Sequence, residues 1–112
     1  MSLYGDYIKE RKGYGIIEDE HGFATYGTMD VDGEKAMYIE EIFVRPEFRQ
    51  NKIASKYADE IALIAKNNGI KKLIGSVCTA TNNAHQSLLV LLGYGFKLYS
   101  NDHDTIYFIK DI

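Results

Sequence analysis

The segment Tyr38–Tyr57, YIEEIFVRPEFRQNKIASKY, constrains this chain more than any other. An apolar, strand-like run ends at Val44, a short turn follows at Arg45-Pro46, and a basic, polar stretch opens an amphipathic helix. Such a path delivers a helix N-terminus directly to the end of a strand. The N–H groups of a first helical turn have no intrahelical acceptor, and the helix dipole adds partial positive charge beside them. A strand that passes through an arginine-bearing turn into a helix start is therefore a candidate phosphate cradle.

The rest of the pattern builds around that unit. Leu3–Arg11 is expected to form a short amphipathic helix with Tyr4, Tyr7 and Ile8 on one face. Tyr14–Glu18 and Phe23–Met29 read as strands joined at His21-Gly22. Asp30–Glu34, with Asp32-Gly33 inside it, reads as a hairpin turn, because glycine accepts the positive φ that tight hairpins need. Ala36–Val44 is the third strand. A helix over 50–66 puts Ile53, Tyr57, Ile61 and Ile64 at helical spacing, and Asn67-Asn68-Gly69 ends it. Lys72–Cys78 is the next strand, and the capping residues of Thr79–Asn83 open a second helix running to about Leu92. Phe96–Tyr99 and Thr105–Ile109 close the chain as two strands about a polar turn, Ser100–Asp104. This order predicts an α/β (α+β) fold: a mixed, mostly antiparallel twisted sheet with helices on both faces. The strand–helix–strand unit in the middle supplies one parallel or splayed pairing.

A chain of 112 residues supports one core, so 1–112 is expected to be a single domain. Its longest apolar run, Leu88–Leu92, falls far short of the ~20 residues that span a bilayer, and the first residues lack a basic-then-apolar leader. No membrane partner is expected. The lone cysteine, Cys78, has no internal disulfide partner; it reads as a small core residue in a cytoplasmic setting. Residues 1–48 carry 5 basic and 11 acidic side chains, a balance of −6, and residues 49–112 carry 8 and 5, a balance of +3. No basic stripe is present, so no nucleic-acid partner is expected. An acidic first half suits a cationic acceptor, and a basic second half suits an anionic cofactor.

Glu40 and Glu41 are the catalytic candidates. On a regular strand they point to opposite faces, and alternation puts Glu40 with Tyr38, Ile42 and Val44. Apolar neighbours disfavour the charged form of a carboxylate and move it toward general-base duty. Tyr14, Tyr26 and Tyr38 are candidates to line an acceptor pocket. The histidines suggest no metal site: His21 lies in a turn, His85 on a helix, and His103 between Asp102 and Asp104 in a polar hairpin tip.

These residues resemble the acetyl-CoA-binding core of the GNAT-type (Gcn5-related) N-acetyltransferases. That family carries Arg/Gln-x-x-Gly-x-Gly/Ala at its phosphate-binding loop, and here the positions are Arg49, Gln50, Asn51, Lys52, Ile53 and Ala54, preceded by Val44-x-Pro46. Lys52 stands where the central glycine usually does. The second family pattern, Asn-x-x-Ala-x-x-Leu-Tyr-x-x-x-Gly-Phe, falls on Asn82, Leu88, Gly93 and Tyr94, with His85 at the alanine and Leu89 at the tyrosine; a register one or two residues later would use Gly95-Phe96 instead. The likeness spans about Ala36 to Ile109.

The resemblance implies that acetyl-CoA is the cosubstrate. Its pyrophosphate would lie on Arg49 to Ala54 and the helix start through Ser55, its pantetheine along the backbone of Ile42, Phe43 and Val44, and its arm near Asn82. The implied reaction is acetylation of a primary amine of a small molecule or peptide by direct attack, with Glu40 or Glu41 as base. Leu89 has no proton to give, so the family tyrosine cannot be carried over. The alternative is a non-catalytic domain that keeps the fold to bind CoA or a partner protein. The stretch before Ala36 is short for the family, which implies an abbreviated acceptor site completed by a second copy in a homodimer.

Overall fold

A computed structural model of the chain describes residues 3, 15–49, 51–80 and 84–112. The helix expected over 3–11 lies outside the described residues apart from Leu3, and so does Tyr14. The elements are β1 (Gly15–Asp19), β2 (Gly22–Val31), β3 (Glu34–Val44), a short 3-10 turn (Pro46–Phe48), α1 (Ile53–Asn67), β4 (Lys72–Cys78), α2 (Ala84–Tyr94), β5 (Lys97–Asp102) and β6 (Thr105–Asp111). They form a six-stranded sheet ordered β1-β2-β3-β4-β6-β5. Every neighbouring pair is antiparallel except β3 with β4, which is parallel and is bridged by α1. This is the mixed, mostly antiparallel sheet with helices that the element order predicts.

Turn chemistry fixes the hairpins. Asp32 and Gly33 both adopt positive φ (52° and 83°), the backbone that a two-residue hairpin between right-twisted strands requires. The β5–β6 connection is tighter than its polar sequence suggests. Strand pairing continues through Ser100–Asp102, and the turn is confined to His103-Asp104. Interstrand hydrogen bonds override the polarity of those residues, which all face solvent on an edge strand.

The main core lies between the sheet and both described helices. Tyr57, Ala58, Ile61, Ala62 and Ala65 of α1 pack with Ala24, Met37, Ile39, Leu73 and Phe108, and Leu88 and Leu91 of α2 pack on the same cluster. The apolar stripe of α1 follows from helical spacing. Gly75 makes room for α2, since a Cβ there would meet the Leu91 side chain at 2.8 Å. A smaller cluster of Val31, Ala36 and Ile74, joined by Tyr38 and Tyr107, lies on the other sheet face. The two described helices therefore share one face. Cys78 is exposed at the end of β4 rather than buried, because the odd-numbered positions Leu73, Gly75 and Val77 face the helices.

Candidate functional site

A register shift in β3 organises the site. Glu41 pairs with Thr25 and Ile39 pairs with Tyr26, so Glu40 is an extra residue with no partner on β2. This is a β-bulge, which lets two residues of one strand oppose one of the other. Alternation reverses across it. Met37 and Ile39 face the helices before the bulge, and Ile42 and Val44 face them after it. Tyr38 belongs to the opposite face. Both glutamates therefore lie on the face away from α1, with Glu40 half-buried and Glu41 exposed. Two expectations are corrected: Glu40 does not share a face with Ile42 and Val44, and Glu40 and Glu41 do not point apart. Strict alternation cannot anticipate an inserted residue.

Beyond the bulge the sheet opens. The parallel pairing of β3 with β4 runs only over Met37–Leu73, Tyr38–Ile74 and Ile39–Gly75. Past that point β3 stays bound to β2 through Val44–Gly22, while β4 stays bound to β6 through Cys78–Thr105. Each arm is held by its other neighbour, so a slot forms between Glu40–Val44 and Ser76–Cys78. The backbone of Ile42, Phe43 and Val44 thus borders an unpaired edge, the geometry that strand addition by an extended ligand requires.

The slot leads to the start of α1. The Arg45 N–H donates to the His21 carbonyl at 2.8 Å and ties the end of β3 to the β1–β2 turn. Gly22 permits that approach, since a Cβ there would lie 1.9 Å from the Phe43 carbonyl oxygen. The chain then makes the 3-10 turn, so the helix begins at Ile53 and not near Gln50. Lys52 is the N-cap residue and adopts φ 61°, ψ 23°, the left-handed region that glycine occupies most easily. The sequence pattern marks glycine there, and the backbone explains why. No side chain caps the start of α1 and no acidic residue lies in its first turn. The amides of Ile53, Ala54 and Ser55 have no acceptor within the helix.

The basic side chains around this start are not equivalent. Arg49 Nε donates to the Val44 carbonyl at 2.9 Å, and its guanidinium lies 5.8 Å from the centre of the Phe43 ring. That leaves its terminal nitrogens to a ligand. Asn51 Nδ2 reaches the Phe48 carbonyl at 3.4 Å, and Lys52 is exposed. Gln50 and Asn82 lie outside the described residues.

A cleft of about 430 Å³ flanks the cradle, walled by Phe23 and Phe43 and edged by Glu18, Asp19, Arg45 and Glu47. Of the tyrosines proposed for an acceptor pocket, Tyr26 faces the helices, where burial raises its phenol above the usual value. Tyr38 instead meets Ser76 across the strands, its Oη 2.8 Å from Oγ. The sequence offered no signal for this pair, which lies 38 residues apart. Tyr94 donates to Asp59 and Tyr99 to Asp32, so neither hydroxyl is directed into the slot. Among the described residues no three His, Cys, Asp or Glu side chains converge as metal ligands; the His103 ring faces Asp102 at 3.6 Å in an exposed turn. No described helix is long and apolar enough to cross a membrane.

The model of the acetyltransferase (GNAT) family matches residues 3–94. Solved structures share the fold. A GNAT-family protein from Desulfovibrio desulfuricans aligns with a TM-score of 0.76 at 16% identity, over 95% of this chain and 75% of that one. PaiA N-acetyltransferase from Thermoplasma acidophilum, solved with coenzyme A, gives 0.73 at 17% identity over 98% and 69%. A GNAT acetyltransferase from Elizabethkingia anophelis with acetyl-CoA bound gives 0.69 at 17% identity over 96% and 82%. At such identities the likeness is one of fold. No curated protein matches the chain.

Proposed function

The chain belongs to the GNAT acetyltransferase family, and on that premise we propose that it transfers an acetyl group from acetyl-CoA to a primary amine by direct attack. One observation carries the reading: the slot between β3 and β4 opens in line with an uncapped helix start. Acetyl-CoA fits the residues present. The pyrophosphate would take the amides of Ile53, Ala54 and Ser55 with the free nitrogens of Arg49, and the pantetheine amides would pair with the edge of Ile42–Val44. The substrate supplies the activated acyl group; the protein holds it and manages protons.

Glu40 is the proposed base. The bulge removes it from β2 pairing and sets it half-buried at the mouth of the slot, within reach of an incoming amine. Glu41 lies on the same face and would attract the cation before it loses its proton. The exposed carboxylate of Glu41 beside Glu40, in an acidic first half of the chain, supports a positively charged acceptor, a small molecule or a peptide amine. A cytoplasmic single domain, with the acceptor side completed by a second copy, belongs to the same proposal.

A second reading, CoA binding without turnover, is favoured by Leu89, which is apolar and 55% exposed. Calorimetric titration with acetyl-CoA and CoA tests the cofactor, and thiol release with an amine panel tests the transfer. Micromolar binding with turnover that falls in Glu40→Gln supports catalysis. Binding with no turnover favours the second reading, and no binding by the folded protein removes both.

A further inference from the structure

We propose that Ser76, backed by Tyr38, returns the proton to the departing thiolate. This rests on the acetyl-transfer reading above and supplies the acid that Leu89 cannot. Ile39 and Gly75 are the last pair before the strands part, so the next residue on each arm is Glu40 on β3 and Ser76 on β4. The two stand at one level across a gap that is about 5 Å at the last pair and widens beyond it. Tyr38 and Ser76 share the sheet face that carries Glu40, and their hydroxyl oxygens are 2.8 Å apart, with either able to donate. A base on one arm thus faces a hydroxyl on the other, and that hydroxyl is linked back across the paired strands to the Tyr38 phenol. The hydroxyls of Tyr57, Tyr94 and Tyr99 are committed elsewhere, donating to Asp19, Asp59 and Asp32.

The chemistry explains why two hydroxyls are needed. A thiol ionises near pH 8.5 and a phenol near pH 10, so a phenol can nearly match a thiolate in proton affinity. An alkyl hydroxyl is a far weaker acid and acts only if another group donates to its oxygen as its hydrogen leaves. Ser76 borders the slot and Tyr38 lies behind it in the paired part of the sheet, so the order of transfer is fixed. The amine nitrogen attacks the thioester carbon, the C–N bond forms and Glu40 takes the amine proton. The C–S bond breaks with its electron pair on sulfur, which takes the Ser76 hydrogen while Tyr38 donates to Ser76 Oγ. Solvent then reprotonates Tyr38 and accepts the proton from Glu40, leaving amide and thiol in balance. Tyr38 is accordingly a positioning residue that acts through Ser76.

The test compares Ser76→Ala, Ser76→Thr and Tyr38→Phe with the unaltered chain. Acetyl-CoA affinity is read by calorimetry, and thiol release is followed with a diamine, an aminoglycoside and a lysine peptide as acceptors. Ser76→Ala and Tyr38→Phe should lower kcat about 10²-fold with KM for acetyl-CoA unchanged. Ser76→Thr keeps the hydroxyl and should recover most of the rate. Rates equal to the unaltered chain in both hydroxyl deletions overturn the relay while leaving the transfer reading intact. Acetyl-CoA binding with no thiol release from the unaltered chain overturns the relay as well, because no thiolate is made. Failure of the folded protein to bind acetyl-CoA at all removes the transfer reading itself, and the relay with it.

Discussion

Tyr57 of α1 donates its phenolic hydrogen to a carboxylate oxygen of Asp19, at the end of β1, across 2.6 Å. The tyrosine has no exposed surface, and the same oxygen accepts the His21 N–H at 2.8 Å. Two elements that carry the cradle are thereby locked together, since the His21 carbonyl holds the Arg45 N–H where β3 ends. The Tyr57 hydrogen bond, with those from His21, holds Asp19 below the usual carboxylate range against an opposing effect of burial. Burial first, and Asp19 second, push the Tyr57 phenol well above its usual value.

Tyr57→Phe should therefore cost about 1.5–3 kcal/mol, the range for a hydrogen bond to a charged group. The linkage gives the pH window. The depressed Asp19 contributes stability that is full above its unfolded value near 4 and is lost as pH falls through its lower folded value. The raised Tyr57 contributes stability that is full below about pH 10 and is lost as pH rises toward its folded value. Urea midpoints of the two proteins should differ most between about pH 5 and 9 and converge in acid. A constant difference down to pH 2 would contradict the assignment.

Lys52→Gly should stabilise the protein by about 1 kcal/mol, because a non-glycine residue in the left-handed region carries a penalty of that size. Lys52→Ala keeps the penalty and loses the cation. It should leave stability nearly unchanged and weaken CoA several-fold. Thermal melts and calorimetry on both variants separate backbone strain from charge.

Two glycine substitutions differ in what they strike. Gly22→Ala puts a methyl 1.9 Å from the Phe43 carbonyl, a backbone atom fixed in the β2–β3 ladder. Gly75→Ala meets the tip of Leu91, which can rotate. The first should cost about 2–3 kcal/mol and reduce CoA affinity by displacing the edge of the slot; the second should cost under about 1 kcal/mol. Equal losses in denaturant melts would show that the β3 edge yields as readily as a side chain.

Arg49→Ala should weaken CoA binding about tenfold, and Arg49→Lys should not restore it. The guanidinium uses Nε on the Val44 carbonyl and still presents two terminal nitrogens, whereas an ammonium cannot do both. Unchanged affinity in Arg49→Ala would place the phosphate elsewhere.

The order of strands and helices was legible because each element is written in short-range chemistry. An apolar run marked β3, helical spacing marked α1, Asp32-Gly33 marked where β2 turns into β3, and Asn68-Gly69 marked where α1 had to stop. The strand, turn and helix start of the candidate cradle were legible for the same reason, since they follow one another along the chain. Lys52 was visible as a departure, although its cause, a backbone with positive φ, appeared only in the fold.

What sequence could not supply is whatever depends on register between strands. The bulge at Glu40 arises from how β3 meets β2, and it moves both glutamates to one face. The slot exists because β3 and β4 are each held by a different neighbour, residues far away along the chain. The Tyr38–Ser76 contact joins positions 38 residues apart, a separation over which no local pattern carries information. The sequence alone determined the elements and the chemistry along each; the tertiary structure decided which side chains face one another, because hydrogen-bond registry between strands is a property of the assembled sheet.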